Sequence, residues 1–597
     1  MPRTILTIIA AVFLAVPSYS QQDVEARIKR VEEGLLPAVL VKGESGWKIA
    51  ERMKHYKVPG VSIAVIDDHK VVWSRSYGVK DMSSREPVTP QTLFQAASIS
   101  KTLNATVILK KVQEGKLSLE ADVNTYLTSW KLPDNEFTSK TKITIANLLS
   151  HTGGTTVSGF PGYKVTAALP TVQQILNGEP PANTAPIVVN IEPARRFRYS
   201  GGGTTILQLL LTELEKKPYP QILKETVLDP LGMSNSTFNQ PLPEDWKPKA
   251  ATGHAPADSP VEGKWHVYPE LAAAGLWTTP TDLAIYAVEH QLSVQGKSNR
   301  ILSREMEETM MTPYIGEGYG LGFGVQKMGN AVYFQHSGGN QGFSCLLIAH
   351  KQRGYGAVVM INSNAFGIIS EVMRSIAREY GWEDYLPSPY EVVALGSERL
   401  RRIAGRYLLD SDRMVTVLVE GGRVMADVTR MSRIELMPIS ESEFVSREDG
   451  TRVTFVQGPV PAGDSLRILG GGRLMGASRA ANDRKVPYEL LCAGAFDEAA
   501  DGYRAIRKSD PSDAAIEESA LNQAGYRLLR ENKIKEAIIL FRLNVDFYPN
   551  SWNVYDSLGE AYAASGAKAL AVISYKKSLE LNPKNTGALE ALKKLEQ

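Results

Sequence analysis

The stretch FQAASISKT, residues 94–102, places Ser98 three positions ahead of Lys101. A serine hydroxyl is a weak nucleophile and needs a base to take its proton. A lysine desolvated by burial loses its charge near neutral pH and can serve as that base. Such a pair attacks an acyl carbon, forms an acyl-enzyme and passes it to water. The spacing alone does not select this pair, because S-x-x-K also begins at Ser45, Ser139, Ser565 and Ser574. Ser45 stands beside glycines in KGESGWK, Ser139 lies in the lysine-rich TSKTK, and the last two lie in C-terminal helical repeats.

The elements around Ser98 favour it. Apolar residues recur at Leu103, Val107, Ile108 and Val112, and Gly115 follows. That predicts a helix beginning at Ser98 with a glycine stop. Lys101 then sits one turn on, on the same face, and the serine sees the positive end of the helix. A nucleophile of this kind also needs a second polar group above it, a backbone oxyanion donor and a polar residue on an edge strand. RRFRYSGGG places Tyr199 ahead of a glycine run and a helical segment, TTILQLLLTELEKK. YFQHSGGNQGF places His336 at the expected end of a strand, followed by Gly338 and Gly339. LLSHTGG, with His151, reads as a structural loop. GYGLGFGV, from Gly318 to Val325, reads as a tight sheet edge, since no lysine follows it in phosphate-loop spacing.

Taken together these motifs resemble the serine β-lactamase and penicillin-binding-protein superfamily, in particular its class C-like branch, over roughly Val58 to Ile361, about half the chain. Three ordered motifs carry far more weight than one. The resemblance implies Ser98 as nucleophile, Lys101 and Tyr199 sharing proton transfer, and His336, Gly338 and Gly339 as the substrate-binding and oxyanion strand. It implies backbone N–H donors at Ser98 and Gly339, with His336 orienting substrate or relaying to Tyr199. Two positions depart from the pattern. Gly201 stands where the family's Y-x-N motif has asparagine, and His336 stands where β-lactamases have a lysine that helps to hold a β-lactam carboxylate. Ester or D-peptide hydrolysis is therefore expected ahead of β-lactam hydrolysis.

The 597 residues exceed one hydrophobic core, and the sequence reads as multidomain. Residues 1–20, with Arg3 and the apolar run Ile5–Val16, read as a secretory signal peptide, which predicts export to a periplasm or the medium. Residues 21–384 read as an α+β β-lactamase-like catalytic domain. VSIAVIDDHKVVWSRSYGV gives a hairpin near its start; FSCLLIAH, YGAVVMINS and a helix FGIISEVMRSIAREYGW end it. Residues 385–484 alternate apolar runs with Gly-Gly and Asp-Gly turns, predicting a small antiparallel β domain or barrel. Residues 485–597 read as an all-α domain. Gly525, Ala537, Phe541 and Pro549 recur at Gly559, Ala571, Tyr575 and Pro583, an offset of 34 each time, and a third copy is expected over Pro487–Ser519. This resembles the tetratricopeptide repeat, a module that offers a surface to a protein partner.

Net charge is +2, with no basic stripe of the kind a nucleic-acid binder needs. No metal-ligand spacing appears among the eight histidines, and no cofactor is expected. Cys345 and Cys492 are expected to be two buried thiols. No later segment is long and apolar enough to span a membrane. The leading reading is an exported serine hydrolase acting on a small ester or peptide. The competing reading is a catalytically silent relative that binds a peptide or cell-wall fragment and recruits a partner through its repeats; a third is a scaffold acting wholly through the repeats.

Overall fold

The computed structural model describes residues 21–255, 259–316, 318–431, 433–458, 464–470, 473–583 and 585–596. The expected signal peptide, residues 1–20, lies outside them. Two compact units result, one of residues up to 37 together with 45–387, the other of 38–44 and 388–597.

The first unit is built on a six-stranded antiparallel sheet: β1 (Gly60–Asp67), β2 (Lys70–Gly78), β3 (Gly324–Met328), β4 (Ala331–Asn340), β5 (Phe343–His350) and β6 (Gly356–Ile361). Their order is β2-β1-β6-β5-β4-β3, so the N-terminal hairpin joins the C-terminal strands through the β1–β6 pairing, with Ile63 opposite Val359. Every residue of β5 and β6 is buried. Strands covered on both faces read as continuous apolar runs, which is how FSCLLIAH and GAVVMI appear. Side chains alternate between two cores. Val61, Ile63, Val65 and Tyr333 face helices α1 (Gln21–Glu32) and α6 (Phe366–Glu379). Ala64, Ile66, Phe334 and Cys345 face the larger core. That core is organised around α2 (Ser100–Gln113), α3 (Gly201–Glu215), α4 (Leu271–Ala274) and α5 (Pro280–Val294).

The second unit contains a closed eight-strand barrel, from Gly405–Leu408 to Arg473–Ala480, closed by Arg406 pairing with Ala480. Tyr407, Val417, Phe444 and Phe455 fill its interior. Among the described residues seven α-helices follow, from Pro487–Cys492 to Thr586–Glu596. Gly525 and Gly559 let helix pairs close up: a Cβ there would stand 2.5 Å from the Phe541 ring and 2.8 Å from the Tyr575 ring. The expected third copy has a first helix of only six residues, Pro487–Cys492. Barrel and helices share one buried node. Asp412 is fully buried, accepts from the Tyr488 N–H and the Tyr503 hydroxyl at 2.8 Å each, and pairs with Arg430.

Two expectations need correction. Residues 38–44, read as part of the catalytic segment, belong to the second unit, where Lys42 N–H donates to the Tyr390 carbonyl at 2.9 Å. Cys492 is exposed, because it ends a one-and-a-half-turn helix whose inner face is carried by Tyr488 and Leu491; only Cys345 is buried. Among the described residues, no helix is long and apolar enough to cross a membrane.

Candidate active site

Ser98 does not open the α-helix directly. Ala97 adopts a left-handed φ of 48°, and Ala97–Ile99 form a 3-10 turn before α2 begins at Ser100. The turn is clamped from both sides. Ser100 Oγ donates to the Ala97 carbonyl at 2.6 Å and accepts from the Leu276 N–H at 3.0 Å. Left-handed backbone at a non-glycine residue is costly and persists only where its surroundings fix it. Here it turns Ser98 towards a cavity of about 650 Å³.

Lys101 is buried beneath the serine. Its Nζ lies 3.0 Å from Ser98 Oγ and donates to the Ala273 carbonyl of α4 at 2.7 Å. Burial alone lowers its pKa to about 7, so near neutral pH much of the amine is unprotonated and can accept a proton. Tyr199 lines the cavity with Ser98, and its ring centroid lies 5.1 Å from Lys101 Nζ. Desolvation pushes the Tyr199 phenol up to about 12, which keeps it protonated at neutral pH.

Tyr199 is placed by the start of α3. Ser200 caps that helix, its Oγ accepting from the Gly203 N–H at 3.0 Å, and its own N–H donates to His151 Nδ1 at 3.2 Å. The three glycines that follow allow the helix to lie against residues 155–160. A Cβ at Gly202 would stand 2.6 Å from the Thr156 carbonyl, and one at Gly201 would stand 3.0 Å from the Phe160 ring. The Phe160 ring thus crowds the position from which the family's asparagine would project.

His336 lies within β4, not at its end, because the strand continues to Asn340. Its Nδ1–H donates to the Ser337 carbonyl at 2.7 Å, leaving Nε2 to face the Tyr319 hydroxyl at 3.1 Å. Burial, with the Lys101 charge adding to it, pushes His336 down to about 3 and keeps it neutral. Its hydrogen-bond partner is therefore Tyr319 rather than Tyr199. Gly338 and Gly339 play different parts. Gly338 faces inward, where a Cβ would stand 2.2 Å from the Ala96 carbonyl and 2.6 Å from Cys345 Sγ. Its missing side chain lets β4 lie directly on the serine turn. Gly339 is exposed, with open space where a Cβ would be, and it lines the cavity.

The sequence assigns no chemical part to three further residues. His151, read as a structural loop residue, is buried with its ring 4.3 Å from Tyr199 and 5.0 Å from Tyr319, centroid to centroid. Burial and the Lys101 charge hold it well below the usual imidazole range. Tyr319, from the glycine-rich GYGLGFGV, lines the cavity beside His336. Glu270, at the start of α4, is fully buried, and among the described residues neither carboxylate oxygen has a hydrogen-bond partner; burial raises it to about 7. LLSHTGG and the Gly/aromatic run were visible signals, but their rings meet only in three dimensions. Among the described residues, no group of three or more His, Cys, Asp or Glu side chains is placed to hold a metal.

A family model described as beta-lactamase matches residues 48–368, which hold Ser98, Lys101, Tyr199 and His336. The chain belongs to the beta-lactamase family. Members of this family are generally serine hydrolases. Protein flp of Staphylococcus aureus (strain N315) is 26% identical over 322 residues, 52% of this chain and 60% of that protein. The chain thus covers less than two thirds of that relative's length. Penicillin-binding protein 4* of Bacillus subtilis (strain 168) is 21% identical over 420 residues, 65% of this chain and 88% of that protein. Among solved structures, the octameric penicillin-binding protein homologue from Pyrococcus abyssi aligns with 72% of this chain and 98% of its own at 23% identity, with a TM-score of 0.49.

Proposed function

We propose that this protein is an exported serine hydrolase of the class C-like branch that cleaves an ester or amide through an acyl-enzyme on Ser98. The observation that carries the reading is the 3.0 Å contact between Ser98 Oγ and a buried Lys101 amine held near pKa 7. Neutral Lys101 takes the Ser98 proton as Oγ bonds to the acyl carbon. The oxyanion forms against the backbone N–H groups of Ser98 and Gly339; one such donor typically supplies ~3 kcal/mol. As the tetrahedral intermediate collapses, Tyr199 gives its proton to the leaving oxygen or nitrogen and is reprotonated from Lys101. Water then adds to the acyl carbon while Lys101 takes its proton, the carbon–Oγ bond breaks, and serine regains a proton. His336 steadies Tyr319 along the cleft.

β-Lactam hydrolysis is the weaker reading, because neutral His336 stands where a lysine would hold the β-lactam carboxylate. The C-terminal helices, read as tetratricopeptide repeats, serve a protein partner. The signal-like residues 1–20 support export. The alternative is a silent peptide or cell-wall binder using the same cleft; a pure binder has no need of a desolvated lysine beneath a serine. Labelling with a fluorophosphonate probe tests the choice. Wild type should label and Ser98→Ala should not; equal labelling of both would remove Ser98 as the nucleophile.

A further inference from the structure

The cavity above Ser98 turns a corner. β3 pairs with β4 only from Gly324 opposite Gln335 to Met328 opposite Ala331, so His336–Asn340 form a free strand edge among the described residues. The cavity passes round this edge to the opposite face of the sheet, where Leu346, Phe366, Ser370 and Tyr385 line it. Strand alternation explains how both faces contribute. His336 points towards the serine side, whereas Ser337 points the other way with its cross-strand partner Leu346. Phe366 heads α6 with 38% of its surface exposed, and Ser370 follows one turn later. The Tyr385 ring is fixed against Tyr333, centroids 5.6 Å apart.

This second arm is apolar and aromatic, and it is uncharged. Among the described residues lining the cavity there is no Lys, Arg, Asp or Glu, and its one histidine, His336, is held neutral. A further turn along α6, Arg374 is not a lining residue and its Nε donates to the Leu36 carbonyl at 2.9 Å. An ionised carboxylate placed here would be desolvated with no cation among the described lining residues to hydrogen-bond it, and the Arg374 charge, which reaches Tyr385 through space, would offset only part of that cost. An apolar ring would bury its surface against Phe366 and Leu346 and meet Tyr385 edge or face.

We infer that the substrate is neutral near its scissile bond and carries a sizeable apolar, preferentially aromatic, group that lies in this arm. Phe366 and Leu346 are then specificity-determining residues, and a free carboxylate on that group is rejected. The inference rests on the hydrolase reading for its scissile bond, but the arm can be tested without turnover.

The test compares phenyl butyrate, 4-carboxyphenyl butyrate and methyl acetate on full-length wild type and Phe366→Ala. Binding of the two aryl esters to Ser98→Ala is measured in parallel by calorimetry. Wild type should turn over phenyl butyrate about 100-fold better than its carboxylate analogue. Phe366→Ala should lose about tenfold in kcat/KM on phenyl butyrate, mostly in KM, and less than twofold on methyl acetate. Ser98→Ala should bind phenyl butyrate and discriminate against the carboxylate analogue. Turnover without that preference, or an unchanged Phe366→Ala, overturns the apolar arm. Preference in binding without wild-type turnover supports the arm and removes the hydrolase reading. Loss of both removes both.

Discussion

Lys101 Nζ stands 3.0 Å from Ser98 Oγ and donates to the Ala273 carbonyl at 2.7 Å. Burial alone lowers its pKa, and among the described residues no hydrogen-bonded carboxylate raises it again. The amine is thus matched to accept a proton near neutral pH, which is where a general base is most effective.

The pH profile should report this. kcat/KM for a neutral ester should rise with unit slope and level off above about pH 7, as Lys101 loses its proton. His336, held near 3, and Tyr199, near 12, do not titrate in that window. Glu270 does, near 7, so Glu270→Gln is the control and should retain the limb. Lys101→Ala should lose it, with a fall of about 10²–10⁴-fold in rate. A limb that disappears with Glu270→Gln would reassign it.

Glu270 makes a separate prediction for stability. Its folded pKa, about 7, lies above the ordinary carboxylate value because ionisation in the buried site is unfavourable. The sign follows from proton binding: between the unfolded and folded pKa values the folded state holds the extra proton, so stability falls as pH rises from about 4.5 to about 7. Glu270→Gln should remove that loss, and at pH 8 it should be more stable than wild type by about 3 kcal/mol. Denaturant unfolding at pH 5 and pH 8 checks it; an equal effect at both values contradicts it.

Gly338 should tolerate no side chain. A Cβ would stand 2.2 Å from the Ala96 carbonyl, a backbone atom next to the strained residue that sets the serine turn. Gly338→Ala should push β4 off that turn and reduce kcat/KM by at least about 10²-fold through misplacement of reacting groups. Gly339→Ala, with open space around its Cβ, should fold normally and lose far less. Circular dichroism and ester turnover on both variants separate the two roles.

Asp412 is predicted to hold the second unit together. It is fully buried between the Tyr488 N–H, the Tyr503 hydroxyl and Arg430. Asp412→Ala leaves a largely buried guanidinium without its carboxylate, which typically costs about 3–5 kcal/mol. The thermal transition of that unit should fall accordingly. An unchanged transition would show that the node contributes nothing to its stability.

The sequence names those candidate-site residues whose spacing is local in the chain. Ser98 and Lys101 share one turn, and Tyr199 and His336 sit in glycine-marked segments, so type and spacing point to them. The β5 and β6 strands were legible as unbroken apolar runs, since a strand buried on both faces needs no alternation. Contacts made through space were not legible. His151 meets Tyr199 and Tyr319 only because separate loops converge, and Gly/aromatic spacing by itself also suits a plain turn. Glu270 gave no signal, because an isolated glutamate is ordinarily exposed. Gly338 and Gly339 are adjacent in the sequence, yet strand alternation sends them to opposite faces, one for packing and one towards the cleft. Residues 38–44 read with their neighbours, because nothing in their composition marks them as part of the second unit.

The most direct measurement is intact mass spectrometry of the full-length protein during steady-state turnover of phenyl butyrate, with Ser98→Ala alongside. Wild type should show a transient mass increase equal to one butyryl group, about 70 Da, carried on Ser98. Ser98→Ala should show none. Ester turnover with no adduct under any quench, or the same adduct on Ser98→Ala, would contradict the Ser98 acyl-enzyme.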